Sequence, residues 1–174
     1  MQMKVVLIVS SILIVCVYSL TECPRKWIQR KNKCYYKDNR WTTFAERLEI
    51  CRKYGGYPLS IDSQSENDFI VKHFTKTTFY LGGQRVKGTD KWKWSDGRDV
   101  TFTKWSEGEP NNANKNENCI QFYSNFRDKF LGKWNDYSCS VREGGVCEIF
   151  LDQEKELNDN DQNIVEIEMN LNNL

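Results

Sequence analysis

The sequence holds one histidine, His73, three prolines and no Cys-x-x-Cys pair. Each scarcity excludes something. With one imidazole and no nucleophile or acid at motif spacing around it, a Ser/His/Asp or Cys/His relay has no visible parts. Without Cys-x-x-Cys or a second His, zinc coordination is not predicted. No glycine-rich phosphate loop occurs, and no dense basic cluster that could clamp a nucleic-acid backbone. No Asn-x-Ser/Thr triplet occurs, so N-glycosylation is not expected. The uncharged run Val5–Leu20 falls short of the roughly 20 apolar residues that span a bilayer.

What is present suffices for a packed domain. Hydrophobic residues make up 39% of the 174 and aromatics 13%, which argues against wholesale disorder. The summed charge of +1 conceals a division: residues 20–150 carry a net +6 and residues 151–174 a net −6. Lys4, then an apolar run, then Val17-Tyr18-Ser19 has the order of an export signal, so residues 1–19 are expected to be a cleaved leader and Cys16 to leave with it. Six cysteines remain: Cys23, Cys34, Cys51, Cys119, Cys139 and Cys147. In an exported chain they imply three disulfides, with fifteen possible pairings.

Local patterns predict an α+β domain. Trp27–Arg30 and Cys34–Lys37 read as short strands around a turn. Thr43-Phe44-Ala45-Glu46 is a capping box, followed by Phe44, Leu48 and Cys51 at helical spacing and by Gly55-Gly56 as a stop. Ser63-Gln64-Ser65-Glu66 opens a second helix whose inner face is expected to carry Phe69, Ile70, His73 and Phe74. From Leu81 to Asn118 the periods fade, and a segment of that length is usually functional. Strands are expected at Cys119–Tyr123 and Gly145–Ile149, with a further one around Phe130–Trp134. The tail beyond Phe150 is acidic and reads as solvated, although Val165, Ile167, Met169 and Leu171 alternate as a strand would.

The chemistry concentrates in Glu109-Pro110-Asn111, Glu117 and Trp134-Asn135-Asp136. Glu109, Asn111, Glu117, Asn135 and Asp136 supply carboxylate and amide oxygens on two segments. Ca²⁺ takes about 6–8 such oxygens, so this set would nearly complete a shell. The bland alternative is that they are turn residues, as Asn, Asp and Pro commonly are.

From Cys23 to about Phe150 the chain resembles the C-type lectin-like domain family in its long form. The resemblance rests on the cysteine frame, on Tyr80-Leu81-Gly82-Gly83, on Glu109-Pro110-Asn111 with Glu117 ahead of Cys119, and on Trp134-Asn135-Asp136 ahead of Cys139. It implies two helices flanking antiparallel sheets, a long calcium-binding loop, and the pairings Cys23–Cys34, Cys51–Cys147 and Cys119–Cys139. It implies that Glu109, Asn111, Glu117, Asn135 and Asp136 bind Ca²⁺ and, through it, two vicinal sugar hydroxyls. The order acid-then-amide in Glu109-Pro110-Asn111 is similar to that of the mannose-type members, whose ligands (mannose, fucose, N-acetylglucosamine) present equatorial 3- and 4-hydroxyls. An auxiliary calcium site of the family draws on acids where this chain has Asn112, Asn118, Arg85 and Lys87, so that second site is expected to be absent or weak.

Together these readings predict a secreted, calcium-dependent lectin that is not an enzyme, does not insert into membranes and does not bind nucleic acid. Its partners would be glycans on cell or microbial surfaces, as in innate immunity, with several copies assembled for avidity. The alternative is a module of the same frame that binds a protein partner independently of sugar.

Overall fold

The computed structural model describes residues 3–10 and 13–20 as backbone, and residues 22–74, 77–124 and 129–151 in full. An antiparallel hairpin pairs β1 (Met3–Ser10) with β2 (Leu13–Leu20). No helix among the described residues is long and apolar enough to cross a membrane. Cys23–Phe150 is a separate compact unit, and the expected alternation at Val165–Leu171 lies outside the described residues.

Within that unit β3 (Ile28–Arg30) turns through Lys31, at φ +53°, into β4 (Lys33–Thr42). Helix α1 (Phe44–Lys53) follows at once because Thr43 caps it. The Thr43 hydroxyl accepts from the Glu46 N–H at 3.4 Å, and Glu46 Oε2 accepts from the Thr43 N–H at 2.8 Å, the reciprocal box that Thr43 and Glu46 predict. Phe44 and Cys51 are buried on its inner face, and Gly55, at φ +79°, closes it. After β5 (Tyr57–Pro58), Ser63 caps α2 (Gln64–His73) by accepting from the Glu66 N–H at 3.2 Å. The second half of that box is diverted: Glu66 Oε2 accepts from the Asp62 N–H instead.

The remaining strands are β6 (Phe79–Arg85), β7 (Trp92–Trp94), β8 (Cys119–Phe122), β9 (Trp134–Tyr137) and β10 (Glu143–Phe150). They join one sheet in the order β3-β4-β10-β6-β8-β9, with β5 added on β10 and β7 on β6. All pairings are antiparallel except β10 with β6. Gly82 lies where β6 passes β5: a Cβ there would come within 2.4 Å of the Pro58 carbonyl oxygen. The core gathers Tyr35, Leu59, Ile61, Ile70, Phe79 and Trp134 with other apolar side chains from α2 and the sheet, while Phe44 and Leu48 of α1 pack with Tyr80 and Cys119.

Two sequence expectations shift. The strand expected around Phe130–Trp134 begins at Trp134 and runs to Tyr137, so Trp134-Asn135-Asp136 is itself strand. His73 is exposed rather than turned to the core. It bonds back through Nδ1 to the Phe69 carbonyl at 2.8 Å and packs on the Phe69 ring. The buried polar positions of α2 are Glu66 and Asn67.

The disulfides are Cys23–Cys34, Cys51–Cys147 and Cys119–Cys139, with Cα separations of 5.5, 5.3 and 5.3 Å. Cys51–Cys147 closes 96 residues, a loop whose closure removes about 4–5 kcal/mol of unfolded-state entropy in the chain-entropy account.

A charged knot lies inside the domain. Lys33 Nζ sits 3.2 Å from Asp62 Oδ2, 3.0 Å from Glu66 Oε1 and 3.2 Å from Glu148 Oε2. The Tyr35 hydroxyl donates to Glu66 at 2.6 Å, and the Ser60 hydroxyl to Glu148 at 2.5 Å. Arg98 reaches Asp62 at 2.7 Å. Three carboxylates thus face two cations. The fully buried Glu148 carboxyl is pushed up to about 7, by burial first, with Lys33 opposing. A group whose folded pKa lies above its unfolded value of 4.5 binds its proton more tightly when folded, so its stabilising contribution falls as pH rises across that window. The expected change is on the order of 3 kcal/mol. Urea unfolding should therefore require more denaturant at about pH 5.5 than at about pH 8; a midpoint that rises over that interval would mean that Glu148 stays ionised.

Candidate functional site

The segment between β7 and β8 is held at several points. The Trp134 N–H donates to the Lys104 carbonyl at 2.8 Å and the Ser106 N–H to the Trp134 carbonyl at 2.8 Å, so the loop is zipped onto β9. Trp134 is fixed from α2: its Nε1 donates to Asn67 Oδ1 at 3.0 Å, while Asn67 Nδ2 donates to the Gly132 carbonyl at 2.9 Å. On the far side Cys119–Cys139 binds the start of β8 to the segment after β9. Two glutamates and an aspartate are thereby delivered from a loop and a strand to one place.

The peptide bond between Glu109 and Pro110 is cis. Beyond it the chain folds around Asp136, which is fully buried. Asp136 Oδ1 accepts from the Asn111 N–H at 2.9 Å and Oδ2 from the Asn112 N–H at 2.8 Å. Glu109 Oε2 accepts from the same Asn111 N–H at 3.1 Å, and its Oε1 accepts from Asn111 Nδ2 at 2.9 Å. Glu117 Oε2 accepts from the Ala113 N–H at 2.8 Å, and the Glu117 N–H donates to Asn112 Oδ1 at 3.1 Å. Four of the five expected residues, Glu109, Asn111, Glu117 and Asp136, belong to this network. Asn135 is buried beside it and donates from Nδ2 to Gln121 Oε1 at 3.5 Å, across the β8–β9 register.

The asparagines of the loop also have a backbone role. Asn112 and Asn114 adopt φ of +49° and +53°, a left-handed conformation that Asn tolerates better than most residues. Asn-rich composition thus serves the fold of the loop as well as its chemistry.

The electrostatics favour a cation. Glu109 and Asp136 both reach for the Asn111 N–H. The Glu109 carboxyl is raised above its ordinary value, by burial first and then by the neighbouring Asp136. Two carboxylates crowded on one donor, with Glu117 close by, form an acidic oxygen set in which a hard divalent ion would relieve the repulsion. The donor chemistry therefore fits Ca²⁺. Among the described residues, no three or more His, Cys, Asp or Glu side chains group tightly enough by themselves to hold a metal; amide oxygens and backbone carbonyls would have to join them.

One residue of the site was undervalued from sequence. Arg85, at the end of β6, donates from Nη2 to Asp136 Oδ2 at 2.6 Å. A groove of about 550 Å³ adjoins the loop, lined by Trp92, Val100, Thr103, Trp105 and Pro110 among others. Trp92 and Trp105 pack against each other with ring centroids 5.2 Å apart.

Comparison with known proteins agrees with this architecture. The family model described as the lectin C-type domain matches residues 40–149. The chain is 35% identical over 131 residues to C-type lectin lectoxin-Phi2 of Philodryas olfersii, covering 72% of this chain and 82% of that protein. It is 33% identical over 127 residues to the low affinity immunoglobulin epsilon Fc receptor of Mus musculus, covering 72% of this chain but 37% of the receptor. This chain therefore matches little more than a third of that relative's length. A crystal structure of the cow C-type carbohydrate-recognition domain of CD23, determined in the presence of GlcNAc2Man3 oligosaccharide, superposes with a TM-score of 0.68 at 28% identity, covering 76% of this chain and 99% of that one. The chain belongs to the C-type lectin domain family.

Proposed function

We propose that the protein is an exported lectin that binds mannose-type glycans through one Ca²⁺ held at Glu109, Asn111, Glu117, Asn135 and Asp136. The observation that carries this reading is the convergence of the Glu109 and Asp136 carboxylates on the Asn111 N–H. Bound there, the ion would supply a Lewis-acidic centre to which two vicinal sugar hydroxyls could give lone pairs. The residues themselves would set direction. Glu109 and Glu117 accept the hydroxyl protons, and the Asn111 and Asn135 amides donate to the hydroxyl oxygens. The acid-before-amide order of Glu109 and Asn111 supports a preference for equatorial 3- and 4-hydroxyls, as in mannose, fucose and N-acetylglucosamine. Six cysteines paired in three disulfides and the apolar leader of residues 1–19 support export to an oxidising compartment. In this reading the protein serves glycan or microbe recognition, with several copies supplying avidity to a single site per chain. A binding role, rather than catalysis, accords with the domain class.

A second reading has a specific observation in its favour. Arg85 already neutralises Asp136, so the loop has an order of its own on which a protein partner could dock without sugar. One experiment separates the two. On mannose-bearing resin the protein is expected to be retained in Ca²⁺ and released by chelator or free mannose. Failure to bind in Ca²⁺, or retention indifferent to chelator, would refute the calcium-lectin reading.

A further inference from the structure

Arg85 is joined to the candidate site by more than one bond. Its Nη2 lies 2.6 Å from Asp136 Oδ2, its Nε donates to the Glu117 carbonyl at 3.4 Å, and its own N–H donates to the Asn118 carbonyl at 3.0 Å. Its guanidinium carbon lies 4.5 Å over the Trp92 ring. The side chain is only 9% exposed, and Asp136 is fully buried. The other carboxylate near it, Asp90 at 3.5 Å, stands in open solvent and contributes little. A buried cation is thus fixed, by a ring on one face and the Glu117 carbonyl at its edge, against the carboxylate that orders the binding loop.

We propose that Arg85 is a positioning residue that acts as an internal cation: its guanidinium neutralises Asp136 Oδ2 and so holds Asn111, Asn112 and Glu117 in their binding arrangement before any metal arrives. The two oxygens of Asp136 then divide the work. Oδ2 is committed to Arg85 and the Asn112 N–H. Oδ1 accepts the Asn111 N–H and, with two lone pairs, keeps acceptor capacity for a ligand. Without a cation on Oδ2, the buried carboxylate would need a further metal ion as its counter-charge. Asn112 and Asn118 bring no carboxylates for such an ion, and Arg85 supplies the charge covalently. The consequence is a loop ordered at zero calcium and a site that needs a single ion. This deepens the lectin reading but stands apart from it, because the property concerns the metal-free protein.

The test is amide hydrogen exchange of Asn111 and Asn112, followed by NMR on the full chain in chelator. R85Q removes the charge and keeps a polar side chain. It is expected to speed exchange at both amides by about tenfold or more, the scale of a hydrogen bond to a charged group. Helix α1 should be unaffected. R85K restores the charge without the planar fork and should recover most of the protection. Exchange in R85Q equal to wild type would overturn the proposal, as would R85K exchanging as fast as R85Q, since charge would then not be the agent. Should R85Q not fold, R85K alone decides: rates within about threefold of wild type support the internal cation, and rates of an unprotected amide refute it. A separate calcium titration of the wild type by calorimetry is expected to show one ion per chain. Two ions would overturn the proposal, whereas none would sink the lectin reading and leave the exchange result standing.

Discussion

Asp136→Ala is expected to abolish calcium-dependent retention on mannose resin, with affinity weakened by more than about 100-fold, beyond the usual cost of disturbing a metal ligand's partner. The carboxylate has three donors, the Asn111 and Asn112 N–H groups and Arg85 Nη2. Its removal leaves Arg85 largely buried with no buried counter-charge, a situation that costs about 3–5 kcal/mol when a buried pair is broken from one side. The Glu117 carbonyl and the Trp92 face remain to Arg85, so the lower end of that range is expected. The sheet should survive, because Cys119–Cys139 keeps β8 and β9 together. Glu109→Gln separates the two effects. It keeps one acceptor oxygen for Asn111 and relieves the repulsion between Glu109 and Asp136, so retention should be lost while the unfolding midpoint holds. Full retention by Asp136→Ala would refute the site assignment; a midpoint that falls with Glu109→Gln as far as with Asp136→Ala would show that the loop, not the charge set, is what fails.

The reach of the sequence can be traced residue by residue. Thr43 and Glu46 declared the first helix because capping is a local interaction written in four consecutive positions. Acid and amide residues at 109, 111, 117 and 136 declared a site because their types match one ligand chemistry. What stayed hidden depends on long-range pairing. Glu66 sits where a capping box would use it, yet it bonds Tyr35, Lys33 and the Asp62 N–H, and only the fold shows those partners. Arg85 was legible as a substitution of a base for an acid. That it bonds Asp136, 51 residues away, was not. His73 sits on the helical repeat of Phe69, yet its ring bonds back to the Phe69 carbonyl at the exposed edge, an outcome periodicity does not decide. Asn112 and Asn114 carried a signal that was available, since Asn-rich stretches favour left-handed backbone.

Lys33 gives the other large effect. Lysine is almost never fully buried unless paired, and here its ammonium is enclosed by Asp62, Glu66 and Glu148. Burial works against the charge, but the three carboxylates outweigh it and raise the Lys33 pKa above its ordinary value. Lys33→Met keeps much of the aliphatic length and removes the charge, leaving three carboxylates against Arg98 alone. The expected loss is about 3–5 kcal/mol, or roughly 10–20 °C in midpoint for a domain of this size. The deficit should shrink as the medium is acidified. Without Lys33 the carboxylates are expected to hold protons still more firmly when folded, so stability gained between about pH 8 and pH 5 should exceed that of the wild type. A loss that is equal at both pH values, or below about 1 kcal/mol, would mean that Lys33 only fills space. Sugar retention provides the last discrimination. Glu66 is bonded by Lys33, and the next residue, Asn67, holds Trp134, whose neighbours Asn135 and Asp136 belong to the candidate site. If the knot merely adds stability, retention measured well below the midpoint should be unchanged. If it also sets the position of Asn67, retention should weaken while the domain is still folded.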